Sequence, residues 1–311
     1  MRTADLDLYN LLSSQLENHV ATVSHIPILE EKAYKDAFIR QLIDSIRRVK
    51  YVTITAEKNY SLNVADPYVS NFNPLKAALY HFKNNNLDEA VWLIFISTHF
   101  GKSKKSGWLL TQDFYKGPNQ NSILTWERVK LGSLETTTWI DNLKSHLANK
   151  APKRVFGNHR KYESLRPDSK RPLNKVIASY ISLIESHQTH ENLFSLALID
   201  AEGSKYNLFD NLYKKFRAVL SFGRTGSFDF LTMLGKLKIL NAEPPKTYIN
   251  QSTGPRDGCG LLFGNKSSAE YENEMFKLSE SLSINPFGMQ VLEDAICNWQ
   301  KSPDAYTQFR G

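Results

Sequence analysis

The chain has 311 residues, of which 41% are hydrophobic and 23% charged, so wholesale disorder is excluded and one large domain or two ordinary ones can form. A net charge of +7 is compatible with a polyanionic partner. The longest apolar stretch, Ala90 to Ile96, is too short to cross a membrane, the N-terminus has no apolar leader, and Cys259 and Cys297 lack metal-ligand spacing; a reduced, cytoplasmic protein is expected.

Leucines at 6, 8, 11, 12 and 16 recur at helical spacing and predict a helix over 5–24; Phe38 to Val49 predicts a second over 31–49. Lys50 to Thr55 is rich in β-formers and reads equally as a short strand or an extended connector. Asn73-Pro74 is a helix start, Asn as N-cap and Pro in the first turn. A further helix is expected from Leu87 with Asp88 as its cap, ending at Gly101. The lysines at 102, 104 and 105 then read as a solvated loop or as phosphate contacts. Helical pieces are expected at 108–115, 122–129 and 134–147.

The segment Lys153 to Arg171 carries seven Lys/Arg against Glu163 and Asp168. At its centre, Asn158, His159, Arg160, Lys161, Tyr162 and Glu163 interleave an amide, an imidazole and an aromatic ring with the cations. That mixture resembles a strand-binding patch more than a plain solvated face. Helices follow at 172–187 and 205–220. Two Gly-rich turns then each open onto an apolar helical run: Gly223-Arg224-Thr225-Gly226, and Thr253-Gly254-Pro255-Arg256. A glycine turn entering a helix lets backbone N–H groups approach an anion, and each turn carries an arginine. Helices at 268–282 and 289–301 complete the chain, the last with Gln290, Asp294, Asn298 and Lys301 on one face. Strand signals are few, so the fold class is all-α or nearly so. No phosphate-binding loop, dinucleotide fingerprint, zinc helix or nucleophile elbow is present; neither cofactor nor metal is expected.

The blocks Phe156 to Leu165, Phe222 to Leu237, Thr253-Gly254-Pro255 and Met289 to Pro303, with Asn71 to Ala78 and Trp92 to Lys102, resemble the alpha-glutamyl/putrescinyl thymine pyrophosphorylases of clade three, from about residue 60 to the C-terminus. The resemblance implies a helix-hairpin-helix DNA glycosylase-like fold: an N-terminal helical extension over 1–60 and a catalytic region over 61–311, with two lobes and a DNA cleft between them. It implies a base-flipping enzyme on double-stranded, modified phage DNA; from the residues themselves neither a membrane nor an obligate protein partner is expected. Two chemistries fit. One is N-glycosidic excision of a bulky hydroxymethylated or glucosylated pyrimidine in anti-phage defence. The other is displacement of pyrophosphate from an activated hydroxymethylpyrimidine by an amine. A non-enzymatic DNA-binding module is the third reading.

A glycosidase needs a fixed carboxylate beside the cationic sugar. Asp229, Asp294, Glu163 and Glu293 are the candidates. Asp229 stands three residues past a Gly turn, where a helix N-terminus favours its charge, and reads equally as a plain first-turn acid. The alternatives are a surface salt bridge for Asp294 and a partner of Arg160 or Lys161 for Glu163. Arg224, Arg256, Lys161 and His159 are candidate phosphate contacts, Tyr162 a stacking surface, and Asn158 and Asn298 base-edge readers or caps. One departure stands out. Glycosylase hairpins place an Asp about twenty residues beyond the Gly turn, and here that region, Glu243-Pro244-Pro245-Lys246-Thr247, holds only Glu243.

Overall fold

The computed structural model describes residues 3–120 and 122–309; the expected tail at Arg310-Gly311 lies outside them. The helices in chain order are α1 (Thr3–Thr22), α2 (Lys32–Glu57), α3 (Leu62–Ala65), α4 (Pro74–Lys83), α5 (Leu87–Phe100), α6 (Leu109–Lys116), α7 (Trp126–Leu131) and α8 (Leu134–His146). They continue as α9 (Leu173–Glu185), α10 (His190–Ile199), α11 (Lys205–Phe216), α12 (Arg224–Lys236), α13 (Gly254–Phe263), α14 (Ser268–Ser281) and α15 (Gly288–Trp299). Among the described residues there is no strand, only an isolated bridge between Ser103 and Gly107. The protein is all-α.

The described residues form two compact units. One contains the chain through Ile54 and from Glu243 onward; the other runs from Thr55 to Ala242. The boundary falls inside α2. Lys50 to Thr55, expected with equal weight as strand or connector, is helical. The reason is periodicity: Val49 and Ala56 are buried, Val52 and Thr53 half-buried, and Tyr51 and Ile54 exposed, a helical repeat that outweighs the β-preference of the side chains.

In the unit that holds both termini of the described chain, α1, α2, α13, α14 and α15 bury one apolar core. Trp299 sits within it, its ring edge-on to Phe38 at 5.4 Å and its indole N–H shared between the Tyr34 and Pro303 carbonyls. Helices α13 and α15 approach closely because α13 presents glycine. A Cβ on Gly258 would lie 2.6 Å from the Ile296 carbonyl oxygen, and one on Gly254 would lie 2.9 Å from Cys297 Sγ.

The other unit is built around α5. Ala90 to Ser97, together with His99 and Phe100, are all buried, as expected of a helix apolar on every side. Phe95 stacks on Tyr180 of α9 at 3.7 Å and on Phe222 at 4.6 Å. The start of α5 differs from the sequence reading. Asn86 is the N-cap, accepting from the Glu89 amide at 3.1 Å, and Asp88 instead accepts from His190 at 2.5 Å. His190 begins α10, a helix that periodicity alone did not single out. Its ring passes the interaction on, accepting from the buried Tyr180 hydroxyl at 2.6 Å. Next to this relay, Glu89 accepts the Trp126 amide at 2.7 Å and the Tyr115 hydroxyl, and burial pushes its carboxyl up to about 7.

The glycine contacts predict opposite outcomes two residues apart on α13. Gly258→Ala drives a methyl into backbone of α15 and should destabilise the protein by about 1–3 kcal/mol. Gly260→Ala meets only the Tyr271 hydroxyl at 3.6 Å, an ordinary contact, and should be neutral or stabilising by up to about 1 kcal/mol from helix propensity. Urea denaturation of the two variants checks both signs.

Candidate functional site

Two of the sequence blocks meet through one side chain. Arg160 lies in a single 3-10 turn, Asn158–Arg160, and is 5% exposed. Its Nε donates to the His99 carbonyl at 3.2 Å and its Nη2 to the Ser221 carbonyl at 2.8 Å, while the guanidinium lies 5.3 Å from the Phe222 ring centroid. Gly226 makes room for it: a Cβ there would stand 2.8 Å from Arg160 Nη1. The Gly-x-x-Gly sequence therefore serves packing. Gly223 is the N-cap, Gly226 admits the guanidinium, and the helix starts at Arg224.

Glu163 completes this knot. It accepts from Ser221 Oγ at 2.7 Å and Arg171 at 3.2 Å, and stands 3.8 Å from Arg160, with its side chain 8% exposed. Its partners are thus Arg160 and Arg171 rather than Lys161. Asn158, His159, Lys161 and Tyr162 project outward from the same turn. Tyr162 is 80% exposed with the Lys161 ammonium 5.0 Å from its ring centre.

Asp229 faces this segment from α12. Its carboxylate lies 3.6 Å from His159 Nδ1, with about a third of its side chain exposed. Burial on its own raises the Asp229 pKa. His159, 3.6 Å away, with the charges of Arg224 and Lys236, overcomes this and holds the carboxyl below its usual range. Because α12 begins at Arg224, Asp229 stands in the second helical turn, and its charge rests on these neighbours rather than on the helix terminus. Arg224 is mostly buried, stacked 5.2 Å over Phe228, and Thr225 is half-buried.

The remaining candidates belong to the other unit. Asp294 Oδ2 accepts from Ser45 Oγ at 2.8 Å and from Arg48 at 2.9 and 2.6 Å; its Oδ1 accepts from Asn298 at 2.9 Å. Lys301 in turn donates to Asn298 Oδ1 at 3.0 Å. Gly254 packs on α15, while Arg256 is exposed and has no ion-pair or hydrogen-bond partner among the described residues. Glu243, at the spacing where a hairpin acid is expected, is buried and accepts the Phe287 amide at 2.7 Å. Glu272, not singled out in the sequence, accepts three donors from Thr247 and Ile249 and fixes that stretch. Nothing in its local sequence signals this, because the partners lie more than twenty residues away.

Among the described residues, no group of three or more His, Cys, Asp or Glu is placed to hold a metal ion. No helix among them is long and apolar enough to cross a membrane.

These features describe an all-α protein in which an ionised acid on a helix faces a basic, aromatic segment. The model of the alpha-glutamyl/putrescinyl thymine pyrophosphorylase clade 3 family matches residues 33–311, and the chain belongs to that family. The family description ties it to the processing of modified thymine. No curated protein and no solved structure matches the chain.

The two aspartates should separate in a stability measurement. Asp294→Asn leaves the Arg48 guanidinium without its charged acceptor and should cost about 1–3 kcal/mol. Asp229→Asn removes a partly exposed carboxylate whose nearest partner, His159, is 3.6 Å away, and should change stability by less than about 1 kcal/mol. Thermal denaturation of both variants at neutral pH tests the contrast.

Proposed function

We propose that the protein is a DNA glycosylase that excises a bulky modified pyrimidine from phage DNA in anti-phage defence, with Asp229 as the reacting carboxylate. The observation that carries this reading is the contrast among its acids. Glu163 and Asp294 have their oxygens occupied by internal donors. Asp229 is held ionised, partly open to solvent, with His159 as its near neighbour.

The chemistry follows from that placement. The bond between sugar C1′ and the base nitrogen breaks, and the electron pair leaves with the base. The positive charge left on the sugar is stabilised by the Asp229 carboxylate, which also orients the attacking water. Water adds to C1′, its proton passes to Asp229, and the departing base takes up that proton. An abasic site and a free base result. Tyr162, exposed and steadied by Lys161, is suited to stack on the extruded nucleotide. The pair of helices α11 and α12, joined through Gly223, supports the helix-hairpin-helix comparison.

The family description favours a second reading on the same residues. An amine attacks the exocyclic methylene carbon of the modified thymine, pyrophosphate departs with the bonding electrons, and Asp229 accepts the proton of the new ammonium. Exposed lysines of the basic segment would then neutralise the leaving group.

Incubation with unmodified and hypermodified phage DNA, with abasic sites counted by an aldehyde-reactive probe, tests the proposal. Abasic sites on modified DNA alone are expected, lost in Asp229→Asn by at least about 100-fold. Intact sugar–base bonds together with released pyrophosphate, when an amine and pyrophosphorylated DNA are supplied, would transfer the conclusion to the second chemistry.

The pH profile gives an independent check. Turnover needs Asp229 ionised, so the rate should fall only as pH drops through its depressed pKa. His159→Gln removes the neighbour that most lowers that pKa while burial still raises it. The acid limb of the profile should move to higher pH in that variant. An unmoved limb would show that a different group titrates.

A further inference from the structure

A second cationic element lies beside the 158–163 segment and plays no part in the chemistry above. Lys102, Lys104 and Lys105 are all exposed, and none has an ion-pair or hydrogen-bond partner for its ammonium group among the described residues. They do not hang on a loose loop. Ser103 and Gly107 exchange both backbone hydrogen bonds, at 2.9 and 2.8 Å, and Ser103 Oγ accepts the Lys105 amide at 3.1 Å.

The loop is also fastened to the candidate site. The Gly157 amide donates to the Phe100 carbonyl at 2.8 Å. A Cβ on Gly157 would lie 2.8 Å from the Gly101 carbonyl carbon and 3.0 Å from the Lys102 nitrogen, so the two backbones touch. The basic segment itself spends much of its charge internally. Arg154 pairs with Asp113, Arg171 with Glu163, and Arg160 is buried. Lys153, Lys161 and Lys170 remain exposed and outside any ion pair among the described residues.

We propose that the 102–105 loop is a phosphate grip that extends this surface and holds the DNA backbone flanking the nucleotide presented to Asp229. The inference rests on the reading of the chain as a DNA enzyme and adds where the strand is held. Lysine is a compact point charge without a planar fork, so the grip should be indifferent to base sequence.

The test is a titration of a fluorescent, unmodified 20-base-pair duplex at 50–300 mM KCl, with wild type and the triple variant K102Q/K104Q/K105Q. Each phosphate contact contributes about 0.9 to the slope of log affinity against log salt, so the variant's slope should be shallower by about 2–3 and its affinity at 0.1 M KCl weaker by about 10–100-fold. Its single-turnover rate at saturating enzyme should equal that of wild type. If slope and affinity are unchanged while Asp229→Asn still blocks base release, the grip is overturned and the glycosylase reading stands. If wild type binds no duplex, both fall. The charge reversal K104E, read in the same titration, gives the answer should the triple variant fold poorly.

Discussion

Arg160 is the interaction on which the candidate site depends. A guanidinium taken out of water costs several kcal/mol unless its donors are matched. Here the match is made by carbonyls from two distant points of the chain, His99 at the end of α5 and Ser221 at the entry to α12, with Glu163 supplying charge. Satisfying this one group fixes the 156–163 segment against the two helices that frame it. The exposed members of that segment, His159 and Tyr162 among them, are positioned as a consequence. Gly157 and Gly226 belong to the same device, since each allows an approach that a methyl group would block.

What distinguishes the acids is how many donors each already has. A carboxylate whose two oxygens are both held by internal donors has little reason to move, and Asp294, with four hydrogen bonds from Ser45, Arg48 and Asn298, is in that state. Glu163 is likewise spent on Ser221 and Arg171. Asp229 keeps its charge through His159 and, after it, the charges of Arg224 and Lys236, without a saturating set of hydrogen bonds among the described residues. Charge without saturation is the condition a carboxylate needs to face a cationic transition state.

Much of the fold was readable in the sequence. The Asn73-Pro74 start, the Gly101 end of α5 and the apolar repeat of α15 are local signals, and local signals survive folding. The misreadings share a cause. Lys50 to Thr55 was ambiguous because β-propensity competes with a repeat that only burial decides. Asp88 looked like a cap because its true partner, His190, is a hundred residues away. The site was legible in part for the same reason. The block around Asn158–Glu163 announced itself by composition, but composition could not say that Arg160 and Glu163 face inward while Lys161 and Tyr162 face out. Nor could it show that Gly226 accommodates an arginine side chain.

In the proposed reaction Asp229 stabilises positive charge on a sugar. The most direct test of that role is a binding comparison between two duplexes, one with a neutral tetrahydrofuran abasic analogue and one with a cationic pyrrolidine in its place. A site complementary to a cationic transition state should hold the pyrrolidine duplex at least about 100-fold more tightly, and Asp229→Asn should abolish that preference. Equal affinity of wild type for the two duplexes, or a preference that survives in Asp229→Asn, would show that Asp229 does not play this part.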